Sequence, residues 1–262
     1  MSKRRIKKRD YHKGIYLLPN LATTLNLFCG FYAVIASLEG HFWRAAAAVI
    51  VAGLFDNLDG RIARATRSTS RFGVEYDSLA DLVSFGMAPA LLAYLWALSP
   101  YGRLGWLGAF LFVACGALRL ARFNTHAGQG PSTHFTGLPI PAAAGMVAAT
   151  VLFCGRMGLS GSIPPLFVLV MLYALSFLMV SSIPYPSFKK KMGTKGFNTL
   201  VVTLLVLIFV AAEPEITLFM VGVTYIAYGI LSAALGRLKH RGREEAADQA
   251  APLEESTTET PT

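Results

Sequence analysis

Apolar residues in this chain run in long unbroken blocks, separated by short polar or charged segments. They neither alternate at the period of a strand nor mark one stripe of a surface helix. Leu104 to Ala117, Leu138 to Cys154, Leu166 to Val180 and Thr199 to Ala212 are apolar almost throughout. Crossing the hydrocarbon core takes about 20 helical residues. The pattern predicts an all-α, polytopic membrane helix bundle of about eight transmembrane helices, near 16–38, 43–60, 77–98, 104–122, 138–156, 165–182, 198–212 and 215–235. A membrane barrel does not fit, because its strands would alternate in segments of about 10 residues. Residues 1–15 form a basic amino-terminal segment, 16–236 the membrane domain, and 237–262 a tail expected to be disordered. From Glu244 onward the tail is acidic, rich in Thr and Ala, and free of aromatics, which predicts disorder.

Composition agrees. The chain has 262 residues, 54% of them hydrophobic, and a mean hydropathy of +0.49. Its net charge of +9 would suit a nucleic-acid partner if the charge were clustered on one surface. It is not. With the amino terminus cytoplasmic, 21 of the 24 Lys and Arg fall in the amino-terminal segment, at Arg61, Arg64, Arg67 and Arg71, at Arg119 and Arg122, at Lys189 to Lys195, or from Arg237 onward. Only Arg44, Arg103 and Arg156 fall on the other side. This bias is the positive-inside pattern, and it predicts that both termini are cytoplasmic. The basic charge therefore serves topology and anionic membrane lipid, with no nucleic acid implied. Tyr16 to Leu38 is long enough to remain as a span, so no cleaved signal peptide is expected. Cys29, Cys115 and Cys154 are widely separated within apolar runs and read as small buried residues.

Against this background one stretch stands apart, DNLDGRIARATRSTSRFGVEYDSLAD, from Asp56 to Asp81. Asp56 and Asp59 are spaced i,i+3, and Asp77 and Asp81 i,i+4, so each pair shares a helix face. The expected spans bring all four to one depth near the inner-leaflet headgroups, with the third helix starting near Asp77 and Gly73 bending the connection before it. Ionised carboxylates in a membrane segment are costly and usually mark function. Four together also repel one another unless a counter-charge intervenes. Mg²⁺ or Mn²⁺ resolves both problems, since each prefers hard oxygen ligands. Two metals on four carboxylates would clamp a phosphoryl group and activate an attacking oxygen. Gly60 leaves room for close approach, and Arg64 offers a bidentate donor to phosphate. The plainer reading is that the aspartates pair with Arg61, Arg64, Arg67 and Arg71 at a loop. That reading does not require this set of glycines and spacings.

The pattern Asp56-x-x-Asp59-Gly60-x-x-Ala63-Arg64, eight residues, then Gly73-x-x-x-Asp77-x-x-x-Asp81 resembles the complete signature of the CDP-alcohol phosphotransferases. The resemblance implies that Asp56, Asp59 and Asp77 bind metal, and that Asp81 adds a ligand and acts as general base. It also implies contacts from Gly60, Arg64 and the Ser70 hydroxyl to the CDP moiety, and a homodimer. Members transfer a phosphatidyl or related group from a CDP-linked donor to an alcohol and release CMP. Further stretches are similar to the bacterial-type phosphatidylserine synthase branch: 18–33, 72–90, LRLARFN at 118–124, 135–144 and 183–189. Ser78 and Leu82 stand where the phosphatidylglycerophosphate branch typically has Pro and Lys. The implied substrates are CDP-diacylglycerol and L-serine, at an inner membrane with the active site facing the cytoplasm.

Pro19-Asn20-x-x-Thr23-x-x-Asn26 places polar side chains on one helix face. They suit an amino-terminal cap, and the resemblance adds nucleotide binding by Asn20, Thr23 or Asn26. Arg119 and Arg122, at the end of the fourth span, serve either as positive-inside anchors or as receivers of the serine carboxylate. Pro89 should kink the third helix. Another acceptor, such as glycerol 3-phosphate or an inositol derivative, is the nearest alternative. A divalent-cation transporter is the remote one, since transport favours acids through the full membrane depth.

Overall fold

A computed structural model describes residues 17–66, 70–126, 135–159, 164–185 and 212–250. Helices α1 (Leu17–Leu38) and α2 (Phe42–Ala65) form an antiparallel pair joined by a three-residue turn at Glu39 to His41. Alanines make the pairing close: Ala33, Ala36, Ala45, Ala46 and Ala52 are all buried. In lipid, where association rests on packing, small residues let helix backbones approach.

The next helical run begins at α3 (Arg71–Asp81) and continues through two wide π-helical stretches, Leu82–Met87 and Tyr94–Leu98, that flank α4 (Ala88–Ala93). Pro89 lies in α4. It has no N–H for the Phe85 carbonyl and its ring crowds that group, so the ladder loosens there as the sequence predicts. A short turn at Ser99–Tyr101 then leads into α5 (Gly102–His126). Gly102 has φ 51°, and a Cβ at Gly105 would overlap the Leu98 carbonyl, so two glycines permit a tight reversal. Ser78, in α3, meets Asn124, in α5, confirming that the two legs run side by side.

Helices α6 (Ile140–Arg156), α7 (Pro165–Val180) and α8 (Pro214–Ala250) complete the bundle. A two-residue antiparallel clasp joins Phe135–Thr136 to Pro184–Tyr185. Beside it Gly137, at φ 86°, donates to the Ile183 carbonyl at 2.9 Å. The core is apolar, with Phe85, Leu92, Phe112, Ile140 and Leu172 at 0–1% exposure. Leu54, Phe110 and Phe177 point outward at 62–74%, as lipid-facing side chains do.

Helices occupy every expected range except 198–212, which lies outside the described residues, as do 1–15 and Lys189 to Lys191. Among the described residues, Leu18–Leu38, the doubled-back run Arg71–Thr125 and Pro214–Ala233 are long and apolar enough to cross a membrane. Ile140–Arg156 and Pro165–Val180 are shorter apolar helices. Three expectations need correction. The second helix runs past residue 60 to Ala65, and the third begins at Arg71, so the aspartates sit inside helices and not at their ends. Gly73 lies in the first turn of α3 instead of breaking the chain before it. Residues 237–250, expected to be disordered, continue α8.

Candidate active site

The start of α1, the end of α2, the start of α3 and the end of α5 meet at one end of the bundle. Asp56 and Asp59 project from α2, and Asp77 and Asp81 from α3. Carboxylate oxygens of Asp56, Asp59 and Asp77 all lie within 4.8 Å of one another. Asp81 stands deeper, at 8% exposure, with its side chain in hydrogen-bond range of Asp56. Two ionised carboxylates tolerate such contact only through a shared proton or cation.

Helix α1 aims these groups. Thr23 Oγ1 donates to Asp59 Oδ2 at 2.9 Å, with the Pro19 carbonyl as a rival acceptor at 3.1 Å. Asn26 Nδ2 donates to Asp81 Oδ1 at 3.1 Å. Both α1 residues are buried, Asn26 completely. A Cβ at Gly30 would overlap Ser84, whose hydroxyl donates to the Asn26 carbonyl at 3.0 Å. One close crossing of α1 over the π-helical turn thus fixes Asn26, and through it Asp81.

Among the described residues no Lys or Arg forms an ion pair with any of the four aspartates. Pairing with Arg61, Arg64 or Arg71 is therefore not what holds them, and Arg67 lies outside the described residues. Asp77 Oδ1 is buried without a hydrogen-bond partner. Hard oxygen donors, mutual proximity and an orphaned carboxylate oxygen together fit a divalent metal.

Beside the aspartates opens a cavity of about 170 Å³, lined by Asn20, Thr23, Asp59, Gly60, Arg64, Ser70, Gly73 and Asp77 among others. Gly60 makes room for Arg64: a Cβ there would lie 3.3 Å from the guanidinium. Arg64 in turn sits within electrostatic reach of Asp59 without ion-pair contact. Ser70 caps α3, its Oγ accepting from the Gly73 amide at 3.0 Å. A Cβ at Gly73 would stand 3.1 Å from Ser70 Oγ and 3.5 Å from Asn20 Oδ1, crowding the cavity's polar wall.

The structure thus brings together Asn20, Thr23, Gly60, Arg64 and Ser70 with the metal-type cluster. Asn26 lies apart from them: it is fully buried and does not line the cavity, its Nδ2 holds Asp81, and its Oδ1 has no hydrogen-bond partner among the described residues. Arg119 and Arg122 also separate. Arg122 is exposed, whereas Arg119 is partly buried, with its Nε buried and unpartnered. Arg119 lies within electrostatic reach of Asp81 and of the Tyr225 phenol on α8. It forms no ion pair with Asp81, which leaves a gap between cation and carboxylate. The sequence gives no role to Tyr225 or to Asn124. A polar Asn at the end of an apolar helix was the available signal for Asn124, whereas Tyr225 depends on how α8 packs.

Residues 16–180 match the model of the CDP-alcohol phosphatidyltransferase family. A protein from Helicobacter pylori (strain ATCC 700392 / 26695) named CDP-diacylglycerol–serine O-phosphatidyltransferase is 41% identical over 218 residues, covering 83% of this chain and 91% of its own length. The Bacillus subtilis (strain 168) protein of the same name is 40% identical over 66% of this chain and 92% of its own. An archaetidylserine synthase from Methanothermobacter thermautotrophicus is 40% identical over 64% of this chain and 69% of its own.

Proposed function

The chain belongs to the CDP-alcohol phosphatidyltransferase family, and we propose that it transfers the phosphatidyl group of CDP-diacylglycerol to the hydroxyl of L-serine, giving phosphatidylserine and CMP. The observation that carries this reading is the Asp56–Asp59–Asp77 cluster opening onto a cavity walled by Asn20, Gly60, Arg64 and Ser70. The names of the relatives from H. pylori and B. subtilis supply serine as acceptor.

Asp56, Asp59 and Asp77 would hold a divalent metal, Mg²⁺ or Mn²⁺, and Asp81 would add a further carboxylate to a two-metal site. Bound there, a divalent cation neutralises the pyrophosphate of the donor and the CMP that departs. Arg64 donates to a phosphate oxygen, and Gly60 and Asn20 admit the nucleotide against the backbone. The acceptor oxygen attacks the phosphatidyl phosphorus in line, the bond from phosphorus to the CMP oxygen breaks, and the hydroxyl proton passes to Asp81. A serine hydroxyl is a weak nucleophile, so a base kept at the site by Asn26 and Asp56 is a requirement of the chemistry. Arg119 takes the serine carboxylate across the gap from Asp81. The acyl tails remain in lipid beside the exposed apolar faces of the helices.

The remaining features follow from the same reading. The protein is an integral membrane enzyme of the inner membrane, its site at the cytoplasmic face where the arginines at 61, 64, 71, 119 and 122 cluster. It works as a homodimer, both termini in the cytoplasm. Transport has no support here, since Glu39, Glu75, Glu213 and Glu215, the other described acids before residue 244, sit at or near helix ends.

The test is CMP release by purified protein given CDP-diacylglycerol, Mg²⁺ or Mn²⁺, and single alcohols. Serine-dependent release is expected. Release driven only by glycerol 3-phosphate or an inositol derivative would replace serine as acceptor, and no release with any alcohol would overturn the transfer reaction. Within that assay Arg119→Gln should raise the serine KM about tenfold or more, from the loss of a charged hydrogen bond. An unchanged KM would remove Arg119 from the acceptor pocket.

A further inference from the structure

Helices α1, α2 and α3 wall the donor cavity, and no residue of α5 lines it. Helix α5 reaches the site from the other side. It brings Arg119 towards Asp81, and five residues later it is tied to α3 by a polar link. Asn124 Nδ2 donates to Ser78 Oγ at 3.0 Å. Ser78 has one hydroxyl proton and two acceptors in range, the Val74 carbonyl at 3.1 Å and Asn124 Oδ1 at 3.4 Å. The closer bond to Val74 takes the proton, so Ser78 accepts from Asn124 while remaining anchored to its own helix. Both link residues are partly buried.

Ser78 directly follows Asp77 in the chain and stands one helical turn before Asp81. The link therefore fixes α5 to the helix that carries two of the four aspartates. The legs run antiparallel, so Ser78 opposite Asn124 brings Asp81 towards Arg119, consistent with their lying within electrostatic reach of each other. Elsewhere α5 meets the neighbouring turns through apolar side chains such as Phe112, Cys115 and Leu120, which resist separation but fix sliding only weakly. A directional hydrogen bond sets the register that those contacts leave loose.

We propose that Ser78 and Asn124 are positioning residues for the acceptor. Their hydrogen bond sets the gap between Asp81 and Arg119 and so determines the fit of a small zwitterionic alcohol there. The link acts through Asp81 and Arg119 and touches neither substrate. The inference rests on the phosphatidyl-transfer reading and adds to it the device that tunes the acceptor pocket.

The test is a double-mutant cycle on CMP release with Ser78→Ala, Asn124→Ala and the double variant, measuring KM separately for donor and acceptor. It uses the alcohol that wild-type protein accepts, so a wrong assignment of serine shows in the wild type before any variant is made. Each single variant should raise the acceptor KM about tenfold, with the donor KM near wild type. The double variant should be no worse than the poorer single one, because both remove the same bond. Ser78→Thr, which keeps the hydroxyl, should stay near wild type. An unchanged acceptor KM, additive effects in the double variant, or equal losses in donor and acceptor KM would each overturn the proposal. Should the alanine variants fail to fold, Asn124→Leu supplies the same readout. It keeps the side chain's volume and removes both polar atoms, and an acceptor KM unchanged in that variant would likewise overturn the proposal.

Discussion

The two ends of the bundle both carry charge and both carry a cavity, yet only one end is equipped for chemistry. The opposite end has the larger opening, about 490 Å³, walled by His41, Trp43, Arg44 and Trp96. Among the described residues, groups of opposite charge meet there. Arg156 grips Glu213 through two bonds of 3.2 and 3.1 Å, and His41 meets Glu39 at 3.3 Å. At the aspartate end the cavity is about a third of that size, 170 Å³, and four carboxylates face one another with no cationic side chain of the described residues in contact. Paired surface charges contribute little and ask for no ligand. Carboxylates brought together without counter-charge ask for a cation, and the protein commits Thr23, Asn26 and a glycine crossing to keep them there. Uncompensated charge, and not cavity size, separates the working end from the resting one.

That contrast breaks most completely if the cluster is made less acidic. Asp77→Asn removes the carboxylate whose oxygen is buried and orphaned, and CMP release should cease; chelation by EDTA should stop it equally, with Mg²⁺ or Mn²⁺ restoring it. Substantial release under either condition would mean the carboxylates serve some other purpose. Next in size is Asp81→Asn. Loss of a general base should lower turnover by about 10²–10⁴-fold while CDP-diacylglycerol still binds. Near-normal turnover would take the base role from Asp81.

The outer layer gives a smaller effect. Asn26→Leu keeps the volume of a fully buried side chain but drops its bond to Asp81, and activity should fall about 10–100-fold, as for other groups that orient metal ligands. A variant that binds donor less well but turns over normally would return Asn26 to nucleotide binding. The smallest change is expected at the far end. Arg156→Gln breaks an exposed pair, and both CMP release and thermal unfolding should stay near wild type. A loss of turnover there would show that the two ends are coupled, contrary to the contrast drawn above.

Much of the aspartate end was legible in the residues alone. Asp56, Asp59, Asp77 and Asp81 announce themselves because carboxylates are costly in an apolar chain, and i,i+3 and i,i+4 spacing assigns each pair a face without further information. Gly60 and Arg64 were readable for the same reason: a four-residue separation on a helix is a contact. The limits of reading appear where a side chain's partner lies on a distant helix. Asn26 shares a helix face with Asn20 and Thr23, so sequence groups the three. The crossing at Gly30 and Ser84 buries the deepest of them against Asp81. Arg119 and Arg122 likewise share a face by spacing, and only the packing of α5 shows that one faces the site while the other is exposed. Helix ends were misjudged at 60 and 77 because polar residues there looked like loop, although they line an interior. The eight-span count depends in part on 198–212, outside the described residues, and the homodimer is a matter of family resemblance.

The central claim is that Asp56, Asp59 and Asp77 hold a divalent cation that no side chain of the protein replaces. Mn²⁺ titration of the purified protein, followed by electron paramagnetic resonance with CDP present, measures this without requiring turnover. Wild type and Arg156→Gln should bind Mn²⁺ alike, and Asp77→Asn should lose most of that binding. Equal Mn²⁺ binding by wild type and Asp77→Asn would contradict the claim.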